Sequence, residues 1–201
     1  MSRLRFTNVA NPPTPATGKT ELFVSSADKH LKTIDDIGLV RDFIAIGRPL
    51  ATLAAAAATS GTGETKLFSC QIPANYAAVG QSFRVYVWGN SSSTGTLIFR
   101  VRVGALGTIG DNQAWISTTS AAQVANARAG FYVMVTIRSI GAAGTVIADG
   151  RANAGAVVLP TLIAAPATAA AATNAIWYID VSCTCSVGTY TAQVGEVDEI
   201  T

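Results

Sequence analysis

Charge is scarce in this sequence, and it is unevenly distributed. Only 13% of the 201 residues are Asp, Glu, Lys or Arg, against about 25% in an average soluble domain. Residues 1–49 hold 12 of the 26 charged residues, and Asp180 is the only one between Ala152 and Gly195. This composition disfavours an enzyme, because catalytic sites gather ionisable groups with perturbed pKa values in a cleft. We therefore predict no catalytic residues.

Histidine and cysteine are also rare. The only histidine, His30, follows Lys29, which favours an exposed polar residue over a member of a catalytic triad or metal site. The odd number of cysteines (Cys70, Cys183 and Cys185) and their spacing predict neither a disulfide framework nor a zinc site. We expect three reduced, buried thiols, with no metal and no cofactor.

Neither nucleic acid nor membrane is an expected partner. The net charge is only +2, and the basic residues are scattered rather than gathered in one stripe. The uncharged stretch Ala152–Ile179 is rich in Ala, Thr, Gly and Asn and contains Pro160 and Pro166, which argues against a membrane span. The N-terminal residues lack the apolar run of a signal peptide, so folding in a cytoplasm is expected.

Val, Ile, Ala, Thr, Ser and Gly fill the rest of the chain and predict a β-rich fold. The strands predicted after residue 60 are Lys66–Ile72, Phe83–Trp88, Leu97–Val103, Phe131–Ile140, Val146–Ala148, Ala156–Leu159, Ala175–Val187 and Tyr190–Val197. The second and third should form a hairpin, as should the fourth and fifth. Ala121–Ala129 is predicted to be a helical turn or a loose connection. About eight antiparallel strands favour a jelly-roll β-sandwich over residues 61–201, with an immunoglobulin-like sandwich as the main alternative.

Residues 1–43 have the pattern of a separate small unit. Pro12, Pro13 and Pro15 predict an extended Pro-rich arm. Three short apolar runs then predict a small β-meander over Glu21–Val24, His30–Ile34 and Gly38–Phe43. Such a meander is too small to bury a core by itself. Residues 44–60 are predicted to be an Ala-rich linker with a helical turn or two.

The aromatic and acidic residues leave further possibilities open. Aromatic side chains in strands most often pack in a core or between subunits, but exposed ones can stack on sugar rings. If this protein binds glycans, the predicted contacts are in loops such as Asn90–Thr94 or Gly107–Asn112, with Asn90 and Trp115 as candidate residues. A hydrolase would need a carboxylate cluster, which the spacing does not indicate. The residues available for that cluster are Glu64, Asp111, Asp149 and Asp180.

Two segments resemble structural proteins of tailed bacteriophages. Pro12–Phe43 resembles the Pro-rich, Gly-Lys, strand–turn–strand module of fibre and head-decoration proteins, in its segments Gly18–Phe23, Lys29–Lys32 and Gly38–Arg41. A second set of segments is similar to the first hairpins of the jelly-roll head of that class: Ile72–Ala74, Phe83–Gly89, Gly95–Leu97 and Val101–Gly104. The resemblance implies modules that often trimerise, and it brings no catalytic residues.

Composition and resemblance together predict a homotrimeric capsid decoration protein or head fibre of a virus particle, assembled in the host cytoplasm. Arg3, Arg5 and Phe6 are the predicted contacts with the major capsid protein or another virion protein. The sandwich would project outward from this anchor. The alternative is a tail-fibre or receptor-binding protein that recognises host-surface glycans.

Overall fold

The computed structural model describes residues 8–9, 12–25, 31–34, 36–38, 40–42, 49–92, 94–120, 122–155, 157–159 and 168–200. The chain divides into two units, Met1–Ile46 and Gly47–Thr201. The regular elements in the described residues are all β-strands, which confirms the all-β prediction. Within those residues there is no helix long and apolar enough to cross a membrane.

The N-terminal unit contains one four-stranded sheet, the N-terminal sheet. Its strands, in spatial order, are β1 (Asn8–Val9), β2 (Glu21–Ser25), β3 (Leu31–Ile34) and β4 (Val40–Asp42). The pairing of β2, β3 and β4 is antiparallel, as in the predicted meander, and β1, which precedes the prolines of the predicted arm, is added parallel to β2. Arg3, Arg5 and Phe6, which were predicted to anchor the protein, and also His30 lie outside the described residues.

The second unit contains twelve strands. They are β5 (Pro49–Thr52), β6 (Ala57–Ser60), β7 (Glu64–Ile72), β8 (Ser82–Ser91), β9 (Leu97–Gly104), β10 (Asn112–Ile116), β11 (Arg128–Ser139), β12 (Thr145–Ala154), β13 (Val157–Leu159), β14 (Thr168–Ala170), β15 (Trp177–Cys185) and β16 (Thr189–Glu199). The smaller sheet has the order β10-β9-β15-β7. The larger sheet has the order β13-β12-β11-β8-β16-β5, with β14 also paired to β12 and β6 to β16.

The hydrophobic core lies between the smaller and the larger sheet. Side chains alternate along each strand, so one face of β8 presents Phe83, Val85 and Val87 inward, all fully buried. Aromatic contacts join the two sheets, with ring centroids 5.2 to 5.9 Å apart: Phe83–Trp177, Phe99–Phe131, Phe99–Tyr190 and Trp115–Phe131. This inter-sheet packing confirms an antiparallel β-sandwich.

The prediction of a linker over residues 44–60 is wrong for residues 49–60, which the structure describes. Residues 49–52 and 57–60 are strands, and both pair with β16 of the larger sheet. The sandwich unit therefore begins at Gly47 rather than at Gly61. Helix propensity favoured a helical turn here, but alanine also fits a strand when backbone pairing with a neighbour is available.

One prediction of strand pairing also fails. The expected hairpin of β8 with β9 does not form, because β8 belongs to the larger sheet and β9 to the smaller one. Both strands have one apolar face, and this pattern is the same whether two strands pair or face each other across a core. The hairpin of β11 and β12 is confirmed, and residues 122–127 form a connection without helix.

Candidate functional site

The structure separates the two residues predicted to contact a glycan. Trp115 lies on β10, is 1% exposed, and packs with its ring centroid 5.3 Å from that of Phe131. It is therefore a core residue, and the prediction that it contacts a ligand is wrong for this structure. Asn90 points outward from β8. The two predicted loops lie at opposite ends of β9 and do not form one site.

The outer face of the larger sheet carries a group of partly exposed aromatic side chains. On β8, Tyr86 and Trp88 point outward because they alternate with the inward valines. Tyr132 of β11 lies opposite Tyr86 in the strand pairing and is 41% exposed. Aromatic rings that are held beside one another on a sheet provide a flat apolar surface. We call Tyr86, Trp88 and Tyr132 the aromatic platform.

Gly130 makes room for the indole ring of this platform. It lies opposite Trp88 in the pairing of β8 with β11. A Cβ atom at position 130 would lie 2.7 Å from Cδ2 and 2.8 Å from Cε3 of Trp88. The ring of Trp88 therefore lies over the backbone of the neighbouring strand, in the space that a side chain would otherwise fill.

Ion pairs and hydrogen bonds fix one side of the platform. Arg84 contacts Asp198 with its Nε 2.7 Å from Oδ2, and Tyr86 donates a hydrogen bond from its hydroxyl to Glu196. That hydrogen bond, followed by burial, raises the pKa of Tyr86 to about 12. The phenol is therefore neutral and donates its hydroxyl hydrogen to Glu196, and this bond fixes the position of the ring.

Two arginines on the other side of the platform are not paired with a carboxylate within the described residues. Arg128 on β11 and Arg151 on β12 are exposed. Arg151 lies opposite Tyr132, and Arg128 lies opposite Asn90. Among the described residues, neither guanidinium has a hydrogen-bond or ion-pair partner. The outer face therefore combines a stacking surface with available cationic donors.

The outer face of the smaller sheet has a different character, since its charges are paired with one another. Glu64 accepts two hydrogen bonds from Arg102, at 2.6 and 2.7 Å, and one from the Ser182 hydroxyl at 2.5 Å. The Nε of Arg100 lies 3.7 Å from the same carboxylate. Burial alone would raise the pKa of Glu64, but these partners outweigh it and lower the pKa. We call this group the ionic cluster.

Asp180 and Asp111 form the buried end of the ionic cluster. Asp180 is fully buried and accepts a hydrogen bond from Ser69 at 2.5 Å, while its other oxygen, Oδ2, has no donor within the described residues. Burial raises the pKa of Asp180 to about 6; the Ser69 hydrogen bond opposes this, and the Asp111 carboxyl adds to it.

Asp111 also organises the loop between β9 and β10. Its Oδ2 accepts a hydrogen bond from the Gly107 amide at 2.7 Å, and Lys66 donates to the Gly107 carbonyl at 2.6 Å. Three of the four carboxylates considered for a hydrolase thus meet in one network, whereas Asp149 lies on the larger sheet. The network holds a loop on a sheet, because Asp111 accepts the loop amide of Gly107 and Lys66 donates to the carbonyl of the same residue. Within the described residues, no group of three His, Cys, Asp or Glu side chains could hold a metal ion.

The platform was missed at first, although part of its signal is present in the sequence. Arg84 alternates with Phe83, Val85 and Val87, and a charged residue on that face indicates that Tyr86 and Trp88 point outward. The contribution of β11 depends on a pairing between distant segments, which the local pattern does not specify. Comparisons with protein-family models, curated proteins and solved structures found no match to this chain.

Proposed function

We propose that this protein is a structural protein of a virus particle and acts as a homotrimer. Its N-terminal unit attaches to the particle through the major capsid protein or another virion protein. The observation that carries the proposal is the small size of the N-terminal sheet, whose strands have only two to five residues.

A sheet of this size gains little from its own burial. Phe23 and Ile34 are its fully covered large hydrophobic side chains among the described residues, while Leu22 is 38% and Ile37 71% exposed. A few short strands with one small apolar face are marginal in water. Packing against copies of the same sheet around a symmetry axis, or against a larger virion surface, would supply the missing apolar contact.

Particle association and oligomeric state test this proposal directly. We expect mass spectrometry to detect the chain in virus particles purified from a lysate of cells infected with the virus that encodes it. The amount of the chain should stand in a fixed ratio to that of the major capsid protein. We expect light scattering of the purified full-length chain to give three times 20.7 kDa. Absence from purified particles would overturn the virion role, and a monomer at micromolar concentration would overturn self-trimerisation.

A second function, recognition of host-surface glycans by a receptor-binding protein, is favoured by one specific observation. The aromatic platform is partly exposed and bordered by arginines, as a sugar-stacking surface would require. A glycan array probed with the full-length protein tests this function. Binding to a defined set of glycans would support it, and uniform failure to bind would contradict it.

A further inference from the structure

We infer that the aromatic platform, together with Arg128 and Arg151, binds a sugar that carries a carboxylate. This inference rests on the second proposed function, glycan recognition, and adds the place on the fold and the chemical class of the sugar. It concerns the outer face of the larger sheet, where the predicted contact Asn90 lies opposite Arg128, and not Trp115 or the loop Gly107–Asn112.

The first step is the stacking surface. A sugar ring presents a face of C–H groups, which packs well on an aromatic ring. Trp88 lies over Gly130, and Tyr86 is fixed by its hydrogen bond to Glu196. These side chains therefore lose little conformational entropy when a ligand binds. This preorganisation distinguishes the platform from a set of mobile surface aromatics.

The second step is the charge. The other arginines of the sandwich that adjoin carboxylates are neutralised by them: Arg84 by Asp198, and Arg100 and Arg102 by Glu64. Arg128 and Arg151 have no such partner within the described residues. A guanidinium binds a carboxylate through two parallel hydrogen bonds, which gives both affinity and orientation.

The third step is the placement of the arginines around the indole. In the register of the sheet, Arg128 is two residues before Gly130, and Arg151 is opposite Tyr132, two residues after it. Strand spacing puts the two arginine Cα atoms about 14 Å apart, on either side of the Trp88–Gly130 pair. A short linear oligosaccharide with several carboxylates therefore suits the site better than a single neutral sugar.

Besides Glu196, which accepts the hydrogen bond from Tyr86, a second acidic residue, Asp149, lies near the site and bears on this argument. Asp149 precedes Arg151 by two residues and points to the same side of β12. Its carboxylate accepts a hydrogen bond from the Gly150 amide at 2.8 Å, and no ion pair joins it to Arg151. The guanidinium of Arg151 is therefore available to an external carboxylate.

Calorimetry with the intact protein tests the inference, using galacturonic acid oligomers and their methyl esters as a matched charged and neutral pair. We expect the wild-type Kd for the acid to be at least tenfold lower than for the ester. Trp88→Ala should weaken both ligands more than tenfold, and Trp88→Tyr should retain part of the affinity. Arg128→Gln and Arg151→Gln should weaken only the acid.

Arg138→Gln is the matched control. Arg138 is also exposed and without a carboxylate partner in the described part of the chain, but it lies eight residues from Gly130 along β11, about 26 Å away. It should not alter either Kd. Circular dichroism and the unfolding midpoint of each variant establish that the fold is retained.

The outcomes separate this inference from the function on which it rests. Equal affinity for acid and ester, with no effect of the arginine variants, would overturn the acidic class and leave glycan recognition standing. Failure of the protein to bind any sugar on an array would overturn both. Conversion of the oligomer to a monomer by Trp88→Ala would identify the platform as a subunit contact and overturn the inference.

Discussion

Gly130 and Trp88 lie opposite each other on β11 and β8, and the indole ring occupies the space above the glycine. A side chain at position 130 would meet not only this ring but also the backbone, since its Cβ would lie 2.1 Å from the Val87 carbonyl oxygen. The position of the ring is therefore set by the absence of a side chain on the neighbouring strand.

We expect Gly130→Ala to destabilise the sandwich by about 2 kcal/mol or more, because the added methyl group must displace a paired strand. Urea unfolding followed by tryptophan fluorescence measures this loss. Gly63→Ala is the control, since a Cβ at position 63 has no atom within 4 Å. Equal stability of the two variants would contradict the close approach of Trp88 to Gly130.

Asp180→Asn should stabilise the protein at alkaline pH. The folded-state pKa of Asp180 is raised from 3.8 to about 6. The stability that its protonated form contributes is complete below pH 3.8 and is lost as the pH rises through about 6. Asparagine cannot ionise, so at pH 8 the variant should exceed the wild type by on the order of 2 kcal/mol.

Thermal unfolding between pH 4 and pH 8 checks this prediction. The difference between Asp180→Asn and the wild type should grow with pH and level off above pH 7. Asp149→Asn, which changes an exposed aspartate of the other sheet, should give a much smaller difference. Destabilisation by Asp180→Asn at every pH would contradict the raised pKa of Asp180 in the folded protein.

Glu64→Gln should destabilise the sandwich by about 3 kcal/mol, because it leaves Arg100 and Arg102 together without their carboxylate. The lowered pKa of Glu64 means that its contribution is present above pH 4.5 and is lost as the pH falls below that value. Chemical denaturation at pH 7 and pH 3 measures both effects. A double-mutant cycle with Arg102→Met isolates the pair, and a coupling near zero would contradict the ionic cluster.

The three thiols should be inert in the folded protein. Cys70, Cys183 and Cys185 are all buried. Burial, followed by the charge of Asp180, raises the pKa of Cys70 to about 12, so almost no thiolate is present at pH 8. We expect no labelling by Ellman's reagent within an hour in native buffer and three equivalents in denaturant. Ser60→Cys, at an exposed position, should label at once, and fast labelling of the wild type would contradict the burial.

The sequence was sufficient to predict the strands whose residues alternate strongly, such as β8 and β9, because one apolar face per strand is a local property. It did not predict which of these strands pair. The order β10-β9-β15-β7 joins segments up to 120 residues apart, and alternation is satisfied equally by paired and by facing strands. Strands β5 and β6 were missed because each has only four residues, and these residues lack the alternation of large apolar and polar side chains that marks β8 and β9.

The sequence likewise predicted only part of the candidate site. Trp88 could be placed on an outer face from Arg84 alone, whereas Trp115 was misplaced because β10 was not recognised as a strand. The sequence does not predict that Glu64, Asp111 and Asp180 lie in one cluster. Strands β7 and β15 and the loop after β9 come together only through non-local pairing. Spacing along the chain carries no information about such a cluster.

The short strands at the borders of the larger sheet have a practical consequence. β5 and β6 together line one edge of β16, and β13 and β14 line the outer edge of β12. Short edge strands limit edge-to-edge association of sheets, whereas a long bare strand invites it. A fragment begun at residue 61 would expose most of the eleven-residue β16 to other chains and should aggregate, while one begun at Gly47 keeps this edge covered.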